Sequence, residues 1–192
     1  MLKKIFKGFL YSILAILAIG FFLPGSSHVT RSIETTASAA TVFEQIQEFK
    51  NWKNWSAWYE DEPDMKLTFG QSSAGLGGNY AWEGSKNGKG SMTNLEVTPP
   101  QYIRQKLSFD GTNPSIVTWK IAETSGKTTV SVAMDSDYGL NPIARYFGLM
   151  MDQWVGKPYE RCLAKMKTHC EANPLPVVAP ILLGKDSASV KK

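Results

Sequence analysis

The longest uninterrupted apolar run lies near the start of the chain. Residues 8–23 (GFLYSILAILAIGFFL) carry no charge, and Ile5 and Phe6 extend the run past Lys7, giving 19 residues from Ile5 to Leu23. A helix needs roughly 20 such residues to cross a bilayer, and a lysine one turn from its end can snorkel to the interface. Pro24 and Gly25 end the helix. Lysines at 3, 4 and 7 precede the run, and Arg31 is the first positive residue after it. The pattern predicts a single-pass anchor in the cytoplasmic membrane, its N-terminus inside and the rest on the exported side, periplasmic or extracellular. The competing reading is a cleaved signal peptide with its apolar segment over 10–22 and cleavage near Ser27. The bulky Phe21, Phe22, Leu23 and Pro24 disfavour it, and both readings export the remainder of the chain.

From Val29 onward the period changes to two. Residues 28–35 read as a strand with Val29, Arg31, Ile33 and Thr35 on one side. Ser38 is placed to cap a helix whose apolar face is Val42, Phe43, Ile46 and Phe49, and a second short helix is expected over 52–58. Six strands follow at regular spacing, over 65–69, 78–83, 89–97, 102–109, 115–122 and 128–138. Asn87-Gly88 signals a type I′ hairpin, and Pro99-Pro100, Asp110-Gly111 and Ser125-Gly126 mark later reversals. Connections this short join antiparallel neighbours, so the sheet is a meander.

The last element is a long helix, capped by Asn141 with Pro142 at its first position and running to about Cys170. Its apolar face begins as Ile143, Tyr146, Phe147, Met150 and Trp154, then continues displaced by about one residue as Tyr159, Cys162, Leu163, Met166 and Cys170. Gly156 and Pro158 lie at the change of phase, so a kink or bulge is expected there. Residues 173–192, rich in Pro, Ala, Ser and Lys, read as a disordered tail. The division is therefore 1–27 as anchor and linker, 28–172 as one domain, and 173–192 as tail. The fold class is α+β: a curved antiparallel sheet of about seven strands wrapped on a long C-terminal helix, with two short helices after the first strand.

Charge changes this picture little. The net +4 and the pI near 9.0 come from the flanks, +3 at the N-terminus and +2 in the tail, which leaves −1 between them. A nucleic-acid binder carries its positive charge on the folded surface, so that class is excluded. Cys162 and Cys170, eight residues apart on one helix, have Cα atoms about 12 Å apart, too far for a disulfide.

Familiar catalytic patterns are missing as well. His28 lies in the linker and His169 near the end of the last helix, neither placed as a pocket base. No Cys/His spacing suits a metal, and no glycine-rich phosphate loop opens a helix, so no cofactor is expected. Glu60, Asp61, Glu62 and Asp64 read as a solvated acidic loop, and Glu83 as a rim or surface residue. What stands out is the supply of large soft side chains: Trp55, Trp58, Trp82, Trp119 and Trp154, with Met92, Met134, Met150 and Met151. Strand alternation puts Ile103, Gln105, Leu107 and Phe109 on one face, where Gln105 would orient a ligand among apolar neighbours.

The phrase Val42-Phe43, Ile46, Phe49, Asn51-Trp52, Trp55-Ser56, Trp58, in this order of elements, resembles the START-like SRPBCC superfamily, in particular its polyketide cyclase/dehydrase-like branch. Further matching phrases are GGNYAWEG over 77–84, KGSMT over 89–93, and GLMMD over 148–152 with Gly156-Lys157 and Tyr159-Glu160. The resemblance covers about 29–171. It implies a helix-grip fold with a cavity between sheet and C-terminal helix that holds a lipid, sterol, polyketide, quinone or other apolar molecule in many members. The expected pocket residues are Trp55, Trp58, Trp82, Met92, Gln105, Leu107, Trp119, Met134, Met150 and Trp154, with no catalytic or metal site. The leading reading is a membrane-tethered, non-catalytic binder of an apolar small molecule. The alternatives are a polyketide cyclase- or dehydratase-like enzyme using a pocket acid, and an envelope protein-interaction module.

Overall fold

The structure, a computed structural model, describes residues 2–175. Helix α1 (Leu2–Gly20) leads into strand β1 (Ser26–Thr35), then α2 (Ala39–Gln47), a 3-10 helix (Phe49–Asn54) and α3 (Ala57–Asp61). Strands β2 (Lys66–Phe69), β3 (Asn79–Glu83), β4 (Lys89–Thr98), β5 (Tyr102–Phe109), β6 (Ser115–Thr124) and β7 (Lys127–Asp137) come next. The described chain closes with α4 (Pro142–Gly148), a π-helical segment (Asp152–Gly156) and α5 (Lys157–Ala172). The tail expected beyond 175 lies outside the described residues.

All seven strands form one antiparallel sheet in the order β1-β7-β6-β5-β4-β3-β2, so each strand from β2 to β7 lies beside its chain neighbour and β1 returns to pair with β7. The fold class is the expected one: a helix-grip α+β domain. Period-two burial runs along each strand, and Val29, Met92, Ile103, Val117, Trp119, Val130, Val132 and Met134 all face the helices. Over one half of the sheet, Ile46, Phe49, Leu163, Met166 and Cys170 fill the space solidly. Both cysteines are free and buried.

Local chemistry explains the elements and two departures from expectation. Ser38 Oγ accepts from the Thr41 N–H, and Asn141 Oδ1 accepts from the N–H groups of Ile143 and Ala144, both as N-caps. The type I′ geometry, by contrast, belongs to Ser125-Gly126, both at positive φ (51° and 77°), between the paired Thr124 and Lys127. Asn87-Gly88 sits in a wider loop in which the Gly84 N–H donates to the Gly88 carbonyl at 2.8 Å. That loop is held from outside by Glu62, which the acidic-loop reading had placed in solvent. Glu62 is 3% exposed and accepts from the backbone N–H groups of Ser85, Lys86 and Asn87 and from the Ser85 hydroxyl. Those donors hold its carboxyl down to a pKa of about 2. Glu60 and Asp61 are paired with Arg161, and Glu60 also with Lys165.

The last helix breaks where the pattern changed phase. Pro158 has no N–H to offer the carbonyl four residues earlier, and the turn before it widens to π geometry. Arg31 reaches across from β1, bidentate on Asp152 (2.9 and 3.1 Å) and 2.6 Å from Glu160, with its guanidinium lying where a Cβ on Gly156 would stand. The apolar face expected before the break is not a core face. No residue of α4 is buried, and Ile143, Phe147, Met150 and Trp154 are all exposed.

Helix α1 stops at Gly20, and 21–23 form a turn. Arg145 donates to the carbonyls of Phe21 (2.7 Å) and Leu23 (3.2 Å), while Tyr146 Oη donates to that of Ile16 at 2.7 Å, docking α4 on the end of α1. No helix among the described residues is long and apolar enough to cross a membrane.

Candidate functional site

Over the other half of the sheet the helices stand away from the strands and leave a cavity of about 700 Å³. Its volume lies within the range of ordinary small-molecule sites, roughly 300–1,000 Å³. The floor is the concave face of the sheet: Tyr80 and Trp82 of β3, Met92 of β4, Leu107 of β5, Val117 and Trp119 of β6, and Met134 of β7. One wall is the segment that carries Trp52, Trp55, Trp58 and Tyr59. The other is the broken helix, with Ala144, Phe147, Met151, Trp154, Val155 and Tyr159.

The geometry follows from the breaks in local structure. The 3-10 turn and α3 rotate Trp52, Trp55 and Trp58 onto the sheet, where the Trp52 and Trp55 rings meet at 4.9 Å, tilted by 48°, and both make T-shaped contacts with Trp119. Gly90, paired opposite Trp82, leaves room for that indole to lie across β4, since a Cβ there would strike its six-membered ring. The π turn swings Trp154 and Val155 onto the cavity wall.

Eight of the ten sequence-expected residues line this space: Trp55, Trp58, Trp82, Met92, Leu107, Trp119, Met134 and Trp154. Met150 does not; it lies on the outer, exposed side of the α4 end. Gln105 does not either, which corrects the expectation that it orients a ligand. It is fully buried and its amide is spent inside the sheet, with Trp119 Nε1 donating to Oε1 at 2.9 Å and Nε2 donating to Asn94 Oδ1 at 2.8 Å. Asn94 in turn donates to the carbonyls of Gln47 and Gly75, both at 3.0 Å, beside the bulge in β4. Strand alternation places Gln105 on the right face; only the three-dimensional neighbours show that its hydrogen bonds are already made.

The sequence reading missed the tyrosines. Tyr59, Tyr80 and Tyr159 all line the cavity, the latter two buried among indoles. Burial pushes the phenol of Tyr59 up to about 12 and those of Tyr80 and Tyr159 higher still, so all are neutral near pH 7. Tyr80 shares the face of Trp82 by alternation, and Tyr159 follows Trp154 on the helix, which was the available signal. Cys162 closes the cavity's inner end; burial raises its thiol to about 11, against a hydrogen bond from the Ala57 N–H at 3.1 Å. The charged residues of the lining are Lys86, which donates to the Asp61 carbonyl, and Asp137. Glu83 does not line the cavity and is exposed beside Lys89 at 3.4 Å. Among the described residues no group of three or more potential metal ligands comes together.

Solved structures of other proteins share this architecture. Protein SA2116 from Staphylococcus aureus is 16% identical with a TM-score of 0.56, over 77% of this chain and 96% of that one. CalU16 from Micromonospora echinospora is 15% identical with a TM-score of 0.53, over 79% and 86%. Protein CV1439 from Chromobacterium violaceum is 16% identical with a TM-score of 0.51, over 77% and 99%. At such identities the likeness shows the fold alone. No curated protein is matched. The model of the family described as polyketide cyclase/dehydrase and lipid transport matches residues 26–171, the whole sheet and the helices that grip it, and the chain belongs to that family.

Proposed function

We propose that this protein is a non-catalytic binder of an apolar small molecule, of the lipid, quinone or polyketide-like class, held at a membrane by α1. The observation that carries the reading is the cavity itself, about 700 Å³ floored and walled by tryptophan, methionine and aliphatic side chains. Burial of apolar ligand surface supplies affinity at roughly 25 cal/mol per Å² before the cost of immobilisation. The indole N–H groups of Trp52, Trp55 and Trp82 donate to the carbonyls of Ile46, Gln45 and Asn87, so these rings offer a ligand their carbon faces.

Attachment to a membrane is supported by α1, whose side chains from Ile5 to Ile19 are largely apolar and exposed. Its 19 residues extend about 28 Å, and the lysines at its start suit a cytoplasmic interface; in this reading the domain lies on the exported side. Tethering would concentrate a membrane-partitioned ligand beside the cavity.

The test is extraction of the full chain in detergent, followed by denaturation and mass spectrometry of released small molecules. A stoichiometric apolar molecule, lost in a cavity-filling Met134→Trp variant, is expected. Recovery of none, with no binding from a lipid and quinone panel, would overturn the reading. Membrane attachment is tested separately: the full chain should stay with membranes in alkaline carbonate, and a chain lacking 2–20 should be released.

A further inference from the structure

The indoles of Trp52, Trp55, Trp82 and Trp119 have their N–H groups satisfied by protein; the phenols of Tyr59, Tyr80 and Tyr159 do not. Tyr80 is 6% and Tyr159 4% exposed, yet neither hydroxyl has a hydrogen-bond partner among the described residues, and Tyr59, half-buried beside them, has none either. Buried polar groups are nearly always paired, so each exception calls for an account. Sealing within the core is not that account. Among the described residues only Gln45 Oε1 and Thr128 Oγ1 are both shut off from open space and unpartnered. The phenol oxygens of Tyr80 and Tyr159 are therefore not sealed, and the open space that these buried residues line is the cavity; Tyr59 lines it too.

They share one region of it. The Tyr80 ring packs against Phe49, Trp52 and Trp82, and the Tyr159 ring against Trp58 and Trp119. Trp52 touches both Tyr80 and Trp119, and Trp119 touches Tyr159, so the two phenol rings flank one pair of indoles at the inner end, where Cys162 accepts from the Ala57 N–H two residues before Tyr59. Each phenol supplies one O–H donor and remains protonated at neutral pH.

We infer that this inner end is a polar recognition site in which Tyr80 and Tyr159, with Tyr59, donate hydrogen bonds to an uncharged oxygen acceptor on the buried end of the apolar ligand, a ketone, ester or quinone carbonyl. The inference rests on the cavity-binder reading above and specifies its ligand. An anionic head group fits less well. Arg161 is spent on Glu60 and Asp61, and the adjacent Cys162 thiol is neutral, so neither of these groups offsets the desolvation of a buried carboxylate.

The experiment compares three probes of equal chain length on the detergent-solubilised full chain: a long-chain methyl ketone, the corresponding alkane, and the corresponding fatty acid. Each displaces a naphthylamine dye from the cavity, with free concentrations corrected for partition into detergent. The ketone should bind about tenfold or more tighter than the alkane. Tyr80→Phe and Tyr159→Phe, which keep the rings, should each reduce that preference several-fold and leave alkane affinity unchanged. Equal affinity for ketone and alkane, or a preference that both variants leave intact, overturns the polar site while the cavity-binder reading stands. Tightest binding of the fatty acid in a tyrosine-dependent manner overturns the uncharged-acceptor class. Binding of none of the probes or the dye removes the cavity-binder reading, and this site with it.

Discussion

Removing the indole N–H of Trp119 should destabilise the domain chiefly through a residue that the substitution does not touch. Trp119→Phe strands Gln105 Oε1, which is fully buried and accepts from Trp119 Nε1 at 2.9 Å. A buried acceptor left without its donor costs roughly 1–3 kcal/mol, and the smaller ring adds about 1 kcal/mol of lost packing. The sum is about 3 kcal/mol, or roughly 10 °C in Tm for a domain of this size. Gln105→Met alone strands Trp119 Nε1 and Asn94 Oδ1, because Gln105 Nε2 donates to the latter at 2.8 Å. In the double variant only Asn94 Oδ1 remains without its partner. The combined loss should therefore fall short of the sum of the single losses by about 2–3 kcal/mol, because two groups stranded in the single variants are absent from the double. Urea unfolding followed by far-ultraviolet circular dichroism measures all four proteins without relying on tryptophan emission. Additivity to within about 0.5 kcal/mol would refute the network as an energetic unit.

Glu62→Gln should change the acid limb of the stability curve. The folded-state carboxyl titrates at about 2 against an ordinary 4.5, so its contribution is present above pH 4.5 and lost as pH falls toward 2. The variant should show a shallower loss over that window, with Glu171, held down to about 2 by Thr36 and Thr35, and the arginine-paired Glu60, Asp61 and Asp152 supplying the slope that remains; an unchanged slope in acid unfolding would count against the clamp. Gly90→Ala should force the Trp82 indole off β4, costing about 1–3 kcal/mol and altering near-ultraviolet circular dichroism, since the new Cβ meets both that ring and the Ser108 carbonyl. Arg31→Met should speed amide exchange across 152–156 while changing global stability by no more than about 1 kcal/mol, because its partners Asp152 and Glu160 are largely solvated. Trp154→Ala should weaken dye binding in the cavity and leave unfolding nearly unchanged, the residue being 45% exposed at the cavity wall.

The sheet was legible in the sequence because its information is local. Period-two alternation and short turns specify which strands neighbour one another, and observed strand ends lie within about two residues of those expected. Asn141-Pro142 and Ser38 mark helix starts by the same local logic, and the phase change around Gly156 and Pro158 marked the break in the last helix. Alternation put Trp82, Leu107, Trp119 and Met134 on the inward face of the sheet, whereas a cavity for them to line, with Trp55, Trp58 and Trp154 opposite, was implied only by the family resemblance.

Properties set by partners distant in sequence were not legible. Gln105 and Tyr80 both sit inward on neighbouring parts of one sheet. Gln105 meets Asn94 and Trp119 and is satisfied, whereas Tyr80 meets only rings and keeps its hydroxyl free for the cavity. Glu62 looked like one carboxylate in a solvated run until the 85–87 backbone closed over it. The type I′ turn fell to Ser125-Gly126 because strands on both sides of it pair to the end, while Asn87-Gly88 is drawn open by that same carboxylate. The helix face of Ile143, Phe147 and Trp154 reads as core in sequence, but only packing decides what lies opposite: Phe147 and Trp154 face the open cavity, while α4 docks on the end of α1 through Arg145 and Tyr146. A chain encodes period and turn chemistry residue by residue; whether a buried polar group is paired, or an apolar face covered, is a property of the assembled fold.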